Sequence, residues 1–222
     1  KTVRALGKEA EKQLAPFKSA VAKIKPWLQD GKCARTADLT DDEKNAIYDM
    51  FLLSMKPTLY VANVDENTIA DGTNKYVDIV KKYADEEKSE VVVICGKFEA
   101  DLAEITDPAD KKDFMESVGL KESGLAVLAR KAYHLMGLRT FFTGGPDECR
   151  AWTIHAGDKA PRAAGVIHTD FEKGFIRAEA YTIDDLRQYK DEAAIKAAGK
   201  YRQEGKEYEV QDGDVLFFKF NV

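Results

Sequence analysis

Two short stretches carry the residue types most suited to binding chemistry. Asn63-Val64-Asp65-Glu66 follows the apolar run Thr58–Ala62, and Cys95-Gly96-Lys97-Phe98-Glu99 closes the apolar run Glu90–Cys95. Open α/β sheets bind ligands at the carboxyl ends of their strands, where loops and helix ends converge. An amide, a glycine turn and carboxylates on two adjacent strand ends could hold a purine base. The candidate binding residues are therefore Asn63, Val64, Glu66, Cys95 and Gly96. As a bare pattern Asn-x-x-Glu is short, and Asn63 and Glu66 also fit plain turn and cap roles.

Other chemistry is sparse. Cys33, Cys95 and Cys149 lie far apart, without zinc-ligand or redox spacing. Their odd count and spread fit a reducing compartment. His134, His155 and His168 read as hydrogen-bonded or exposed surface residues. No Gly-x-x-x-x-Gly-Lys-Ser/Thr run occurs, so the amide cradle and the lysine for the β- and γ-phosphates are missing from the sequence. Arg150, Lys159, Arg162, Lys173 and Arg177, interleaved with Trp152, Phe171 and Phe175, form a candidate RNA-contacting set. Residues 138–222 hold 13 Lys and Arg against 15 Asp and Glu, so charge alone gives no strong affinity for phosphate. The alternative for this set is core aromatics beneath a solvated charged surface.

The elements that must position these residues fall into three segments. Residues 1 to about 55 read as helical. Val3, Ala10, Leu14, Phe17, Val21, Ile24 and Leu28, with Gly7 filling one seam position, make a heptad-like stripe. Pro16 and Pro26 are expected to kink or break it. Thr40 and Glu43 form a capping box that opens a helix from Asp41 to about Ser54. Residues 57 to about 133 alternate strand, helix and strand, a βαβ unit with parallel pairing. Both strands are continuous apolar runs, so both faces are expected to be buried. Two parallel strands cannot bury themselves, which implies further strands from a larger protein. Helices follow at Pro108–Val118 and Gly124–Met136, with Gly137 as a stop.

From about residue 138 the chain is β-rich. Candidate strands are Thr140–Phe142, Cys149–His155, Phe175–Thr182, Tyr208–Val210 and Val215–Asn221. Short helices fit Pro161–Val166, Ile183–Tyr189 and Glu192–Gly199, and His168–Phe175 reads as a polar, glycine-containing loop. Gly144-Gly145-Pro146-Asp147 and Gln211-Asp212-Gly213-Asp214 read as turns. The expected result is an α+β module with a small mixed sheet. The formal net charge of −5 argues against a basic nucleic-acid coat protein. No run approaches 18 apolar residues, so no membrane span is expected.

The runs KPTLYVANVDE and VICGKFEADLAEI resemble the base-recognition strands and loops of the Obg-like ATPases, the YchF family of the P-loop GTPase superfamily. The superfamily's usual Asn-Lys-x-Asp is Asn-x-x-Glu in that family, which prefers ATP. Here it reads Asn63, Val64, Asp65, Glu66. RAWTIHAGDKAPRAAGVIHTDFEKGFIRAE and GKYRQEGKEYEVQDGDVLFFKFNV resemble the family's TGS domain, a ubiquitin-like β-grasp module. The N-terminal helices resemble the second half of its coiled-coil insertion.

The resemblance implies a partial P-loop-type parallel α/β G domain with a helical insertion, followed by a β-grasp TGS domain. The expected division is residues 1–56 for the insertion, 57–137 for the end of the G domain, and 138–222 for the TGS domain. It implies that the intact protein is cytoplasmic and monomeric, binds and hydrolyses ATP with Mg2+ (GTP less well), and associates with the ribosome in translation-related regulation. Asn63, with the backbone around Val64, would recognise the base, and Glu66 would shape the loop. The catalytic histidine and the magnesium ligands belong to the family's N-terminal half, so this chain alone is expected to be inactive. Two alternatives stand beside this reading. One is a non-catalytic ribosome- or RNA-binding module. The other is a TGS segment that mainly covers the nucleotide domain.

Overall fold

A computed structural model describes residues 8–145 and 148–221. Val3 and Gly7 of the heptad stripe, and Pro146 and Asp147 of the glycine turn, lie outside the described residues. The chain divides at Leu128/Ala129 into two compact units.

The first unit opens with α1 (Lys8–Gln29), one helix with Pro16 and Pro26 inside it. The expected break at these prolines does not occur. Each proline removes one intrahelical bond, and 22 residues leave enough others to hold the helix. The face that α1 buries is set by Ala20 and Ile24, which pack with Ala34, Leu39 and Ile47. Phe17 and Leu28 of the stripe remain 37% and 39% exposed, so the seam is only partly used.

The helix expected to run to Ser54 is shorter. α2 (Asp41–Ala46) begins at the Thr40–Glu43 capping box and stops at Ile47. Two 3-10 turns, Tyr48–Met50 and Leu53–Met55, replace the rest. Phe51 between them takes a left-handed conformation with φ 48°, which ends any helix.

The βαβ unit follows. β1 (Leu59–Asn63) and β2 (Glu90–Ile94) pair in parallel, with Asn63 opposite Ile94. Between them lie α3 (Glu66–Ile69) and α4 (Lys75–Glu86). The Asn74 side chain accepts from the amides of Tyr76 and Val77 and so starts α4. The expectation that both strand faces are buried is corrected here. Only Val92 is buried, and Val61 is 45% exposed. A two-stranded parallel sheet has too little cover for two apolar faces.

β2 runs into α5 (Gly96–Glu104), then α6 (Pro108–Ser117) and α7 (Gly124–Leu135). Phe98 of α5 stacks on Phe114 of α6 with ring centroids 4.8 Å apart, beside buried Ile69, Cys95 and Leu102. α7 crosses the boundary between the units.

The second unit is a mixed five-stranded sheet. Its strands are β3 (Leu138–Gly144), β4 (Cys149–His155), β5 (Phe175–Thr182), β6 (Arg202–Glu204) and β7 (Asp214–Phe220). The order is β4-β3-β7-β5-β6, and β3 and β7 run parallel at the centre. α8 (Ala160–Ile167) and α9 (Thr169–Lys173) follow β4, and α10 (Ile183–Tyr189) and α11 (Glu192–Ala197) follow β5. Period-two alternation sends Phe141, Ala178, Ala180, Leu216 and Phe218 to the face packed with Ala160, Ala163 and Ala164 of α8. Tyr181 and Val215 point the other way, to Ile195 of α11.

Two expectations are corrected in this unit. Tyr208–Val210 is not a strand; Glu209 makes only an isolated bridge to Lys159. The strand beside β5 is instead the three-residue β6. The expected loop His168–Phe175 is mostly α9, because the His168 side chain accepts from the Asp170 amide and starts a turn of helix.

Candidate functional site

The carboxyl edge of the β1–β2 pair brings the sequence candidates together. The Asn63 Oδ1 accepts a hydrogen bond from the Gly96 amide at 2.9 Å. The Val64 amide donates to the Ile94 carbonyl at 2.8 Å, which extends the parallel ladder past Asn63. One residue on, Asp65 leaves the edge: its carboxylate accepts from the Thr68 amide at 2.8 Å and caps α3. The Thr68 hydroxyl, and after it the Thr68 amide, hold the Asp65 carboxyl below the usual range. Glu66 reaches back across the two loops and pairs with Lys97 Nζ at 2.7 Å. The pair is exposed, and Glu66 raises the lysine's pKa.

The remaining candidates differ in what they can present. Cys95 is 1% exposed in the core, and its Sγ accepts from the Phe98 amide at the start of α5, so only its backbone faces the loop. Gly96 is exposed, and a Cβ on it would lie 3.4 Å from Asn63 Oδ1. Behind the edge, buried Glu99 accepts from the Gly124 amide at 2.6 Å and anchors the start of α7. The edge therefore offers an exposed asparagine, two backbone segments and an ion pair. It can present hydrogen bonds to a flat polar ring, but it carries no group placed for acid or base catalysis.

In the second unit the five candidate RNA-contacting residues sit on or beside different elements. Lys159 pairs with Glu207, Arg162 lies 3.7 Å from Glu172, and Arg150 lies 3.4 Å from Glu148 with its guanidinium over the Trp152 ring. Lys173 ends α9. Arg177 sits on β5 opposite Lys219 and 3.7 Å from Glu179. The three histidines form no metal site; among the described residues no group of His, Cys, Asp or Glu could hold an ion. No described helix is long and apolar enough to cross a membrane.

Two kinds of residue carry little local signal in the sequence. Lys97 was visible only as part of a loop, since nothing local told that Glu66, 31 residues away, would meet it. Phe217 and Lys219 lie on the sheet face opposite the α8 core. The alternation Val215, Phe217, Lys219 against Leu216, Phe218, Phe220 is a signal that could have found them.

A parallel strand pair with loops gathered on its carboxyl edge, followed by a β-grasp sheet, defines a protein of the α/β class with a TGS-like C-terminal domain. Residues 138–221 match the family model YchF-GTPase_C, described as a protein of unknown function (DUF933). The chain is 48% identical over 204 residues to the "Ribosome-binding ATPase YchF" of Haemophilus ducreyi, covering 92% of this chain and 55% of that protein. It is 44% identical over 221 residues to the "Ribosome-binding ATPase YchF" of Bacillus subtilis, covering 99% of this chain and 60% of that protein. The solved structure of the Schizosaccharomyces pombe YchF GTPase superposes with a TM-score of 0.83 at 34% identity, over 98% of this chain and 58% of that one. The chain belongs to the YchF family, the Obg-like ATPases, and corresponds to the C-terminal portion of its members. It spans somewhat more than half the length of the relatives it matches.

Proposed function

We propose that this chain is the C-terminal part of a cytoplasmic, monomeric Obg-like ATPase. In this reading residues 1–56 end a helical insertion, 57–137 end the nucleotide-binding domain, and 138–222 form the TGS domain. The intact protein binds and hydrolyses ATP in preference to GTP. The observation that carries the reading is the pinned edge: Asn63 held to the Gly96 amide with Glu66 held to Lys97. A guanine-selective site needs a carboxylate free to accept two hydrogen bonds from the base. Glu66, one methylene longer than an aspartate, is drawn across the loops to Lys97 instead, which supports a site that reads adenine through Asn63 and the backbone at Val64, Cys95 and Gly96. The β- and γ-phosphates and Mg2+ would be held by parts of the intact protein other than these 222 residues, so the chain alone is expected to be inactive.

The test is isothermal titration of ATP and GTP into the intact protein and its Asn63→Ala variant. ATP is expected to bind more tightly, and the substitution is expected to weaken it about tenfold by removing one hydrogen-bonding group and freeing the loop. Equal binding of both nucleotides, unchanged by the substitution, would sink the assignment.

A second reading rests on the match of residues 138–221 and on relatives named as ribosome-binding. Here the TGS domain and helical arm dock on the ribosome, and nucleotide only regulates that docking. Co-sedimentation of the isolated chain with ribosomes is expected. If only the intact protein pellets, these parts are insufficient.

A further inference from the structure

The first unit is built around two separate cores. Ala20, Ile24, Ala34, Leu39 and Ile47 pack together in the helical segment, and Ile69, Cys95, Phe98 and Leu102 pack beside the strand pair. Among the described residues the two clusters share no member. The chain crosses between them at residues 56–58, from the 3-10 turn Leu53–Met55 into β1. Neither core reaches across, so a polar contact is left to set how the helical segment sits on the strands.

Arg35 is the hub of that contact. It lies on a 3-10 turn, Ala34–Thr36. Its guanidinium donates to Glu87 at 2.6 Å, to the Ser54 carbonyl at 3.4 Å and to the Tyr60 hydroxyl oxygen at 3.5 Å. Glu87 also accepts from the hydroxyls of Tyr60 at 2.6 Å and Tyr83 at 3.2 Å. The Arg35 and Glu87 side chains are mostly shielded from solvent, which strengthens the attraction between them. Yet Arg35 Nε is buried and finds no acceptor among the described residues. A buried donor without a partner carries a desolvation penalty that release into water would relieve. Strong contacts and an opposing cost meet on one side chain, and such a contact can open as well as close.

The same contact is anchored on the strands of the candidate edge. Tyr60 lies on β1 three residues before Asn63, and Glu87 lies three residues before the first residue of β2. None of the five β1 residues is fully buried. The strand is therefore placed by its ladder to β2, by α4 and by the Tyr60 hydroxyl on Glu87. At its far end Asn63 holds the Gly96 amide.

We infer that Arg35, Glu87 and Tyr60 form a latch that couples the helical segment to the nucleotide edge. Closed, it seats residues 8–55 on the strand pair and keeps Asn63 and Gly96 in register. Open, it frees the segment to pivot at residues 56–58 and loosens β1. A partner that grips the helical segment and draws Arg35 off Glu87 lowers nucleotide affinity, and by linkage bound nucleotide resists that pull. This deepens the nucleotide-binding reading by naming what regulates that same edge, and it rests on that reading for the effect on nucleotide alone.

The test pairs hydrogen exchange of the 222-residue chain with isothermal titration of ATP into the intact protein. Arg35→Met keeps an unbranched stem and removes the ion pair. It is expected to quicken exchange at the Gly96 amide about fivefold and to weaken ATP binding about fivefold. Arg35→Lys keeps the charge facing Glu87 and is expected to recover most of both. Lys23→Met is the control: it breaks the 2.8 Å pair with Glu43 inside the helical segment and should leave Gly96 unchanged. The amide of Leu102, a core residue of α5, reports any general loss of stability in the unit. Unchanged Gly96 exchange in Arg35→Met overturns the latch. So does an equal effect of Lys23→Met, a Leu102 amide that quickens in step with Gly96, or an ATP affinity in Arg35→Met equal to the parent's. Failure of the parent to bind ATP overturns the nucleotide-binding reading instead, and the exchange comparison still decides whether the latch holds the edge.

Discussion

Asn63 and Gly96, 33 residues apart in sequence, are joined by one hydrogen bond from the glycine amide to the asparagine side-chain oxygen at 2.9 Å. The bond ties the loop after β1 to the start of α5, so the two halves of the candidate edge keep a fixed spacing. Asn63→Ala should therefore release the Gly96 amide. Its hydrogen exchange is expected to quicken at least tenfold, with a stability loss of about 1 kcal/mol. Asn63→Asp keeps the acceptor and should retain protection. Unchanged exchange at Gly96 in the alanine variant would show that the bond does not hold the edge together.

A second tie joins the helical segment to the strand pair. Glu87 accepts from the Tyr60 hydroxyl at 2.6 Å and from Arg35 at 2.6 Å, and its side chain is 8% exposed. Tyr60 and then Arg35 hold the Glu87 carboxyl down to about 2, while Glu87 pushes the Tyr60 phenol up to about 12. An unfolded glutamate titrates near 4.3. Its depressed folded value gives stability that is complete above about pH 4.5 and lost as pH falls toward 2. Tyr60 supplies the opposite limb: its share is complete below about pH 10 and lost as pH rises toward 12. Urea midpoints from pH 5 to 2.5 should fall for the parent and fall less for Glu87→Gln. Glu87→Ala should cost about 3 kcal/mol at pH 7, since it strands Arg35 without its partner. Parallel pH curves for parent and Glu87→Gln would refute the latch.

How much of this was legible in the sequence depends on how local each feature is. The βαβ unit was readable because apolar runs such as Val91-Val92-Val93-Ile94 leave little choice but strand, and the Thr40–Glu43 capping box was readable because both partners lie within one turn. The helix beyond Ala46 was over-read, because the left-handed turn at Phe51 has no local marker; phenylalanine is not a residue that favours it. β6 was missed because three residues carry no periodicity, and its place beside β5 comes from pairing Arg202 with Ala180. Within the candidate edge the residue types were plain. The contacts Asn63–Gly96 and Glu66–Lys97 span more than 30 positions and arise only when β1 and β2 pair.

Gly174 is constrained by space rather than by its backbone angle. A Cβ there would overlap the carbonyl oxygen of Asn221, and the Asn221 amide donates to the Gly174 carbonyl at 2.9 Å. Gly174→Ala must push the end of β7 away from the start of β5, at about 2 kcal/mol. Gly205 offers open space instead: no atom lies within 4 Å of the position a Cβ would take, and its φ is not positive. Gly205→Ala should therefore be neutral or slightly stabilising. Thermal melts of the two variants check the contrast. Equal melting temperatures would mean that the β7 end yields freely.

Asp214 is the charged group on which β7 starts, and it is 1% exposed. Its carboxylate accepts from the Tyr208 hydroxyl at 2.7 Å, the Gln211 amide at 2.9 Å and Arg202 at 3.2 Å. A buried carboxylate is tolerated only when its oxygens are satisfied, and here three donors converge on it. Asp214→Ala would leave all three without this acceptor and is expected to cost about 3 kcal/mol. Asp214→Asn keeps an acceptor for the tyrosine and the amide but loses the charge facing Arg202, so about half that loss is expected. Tyr208→Phe alone should cost about 1 kcal/mol. The Tyr208→Phe, Asp214→Ala pair should cost less than the two losses added, because they break one shared bond. Additive losses in chemical denaturation would mean that Tyr208 and Asp214 act separately.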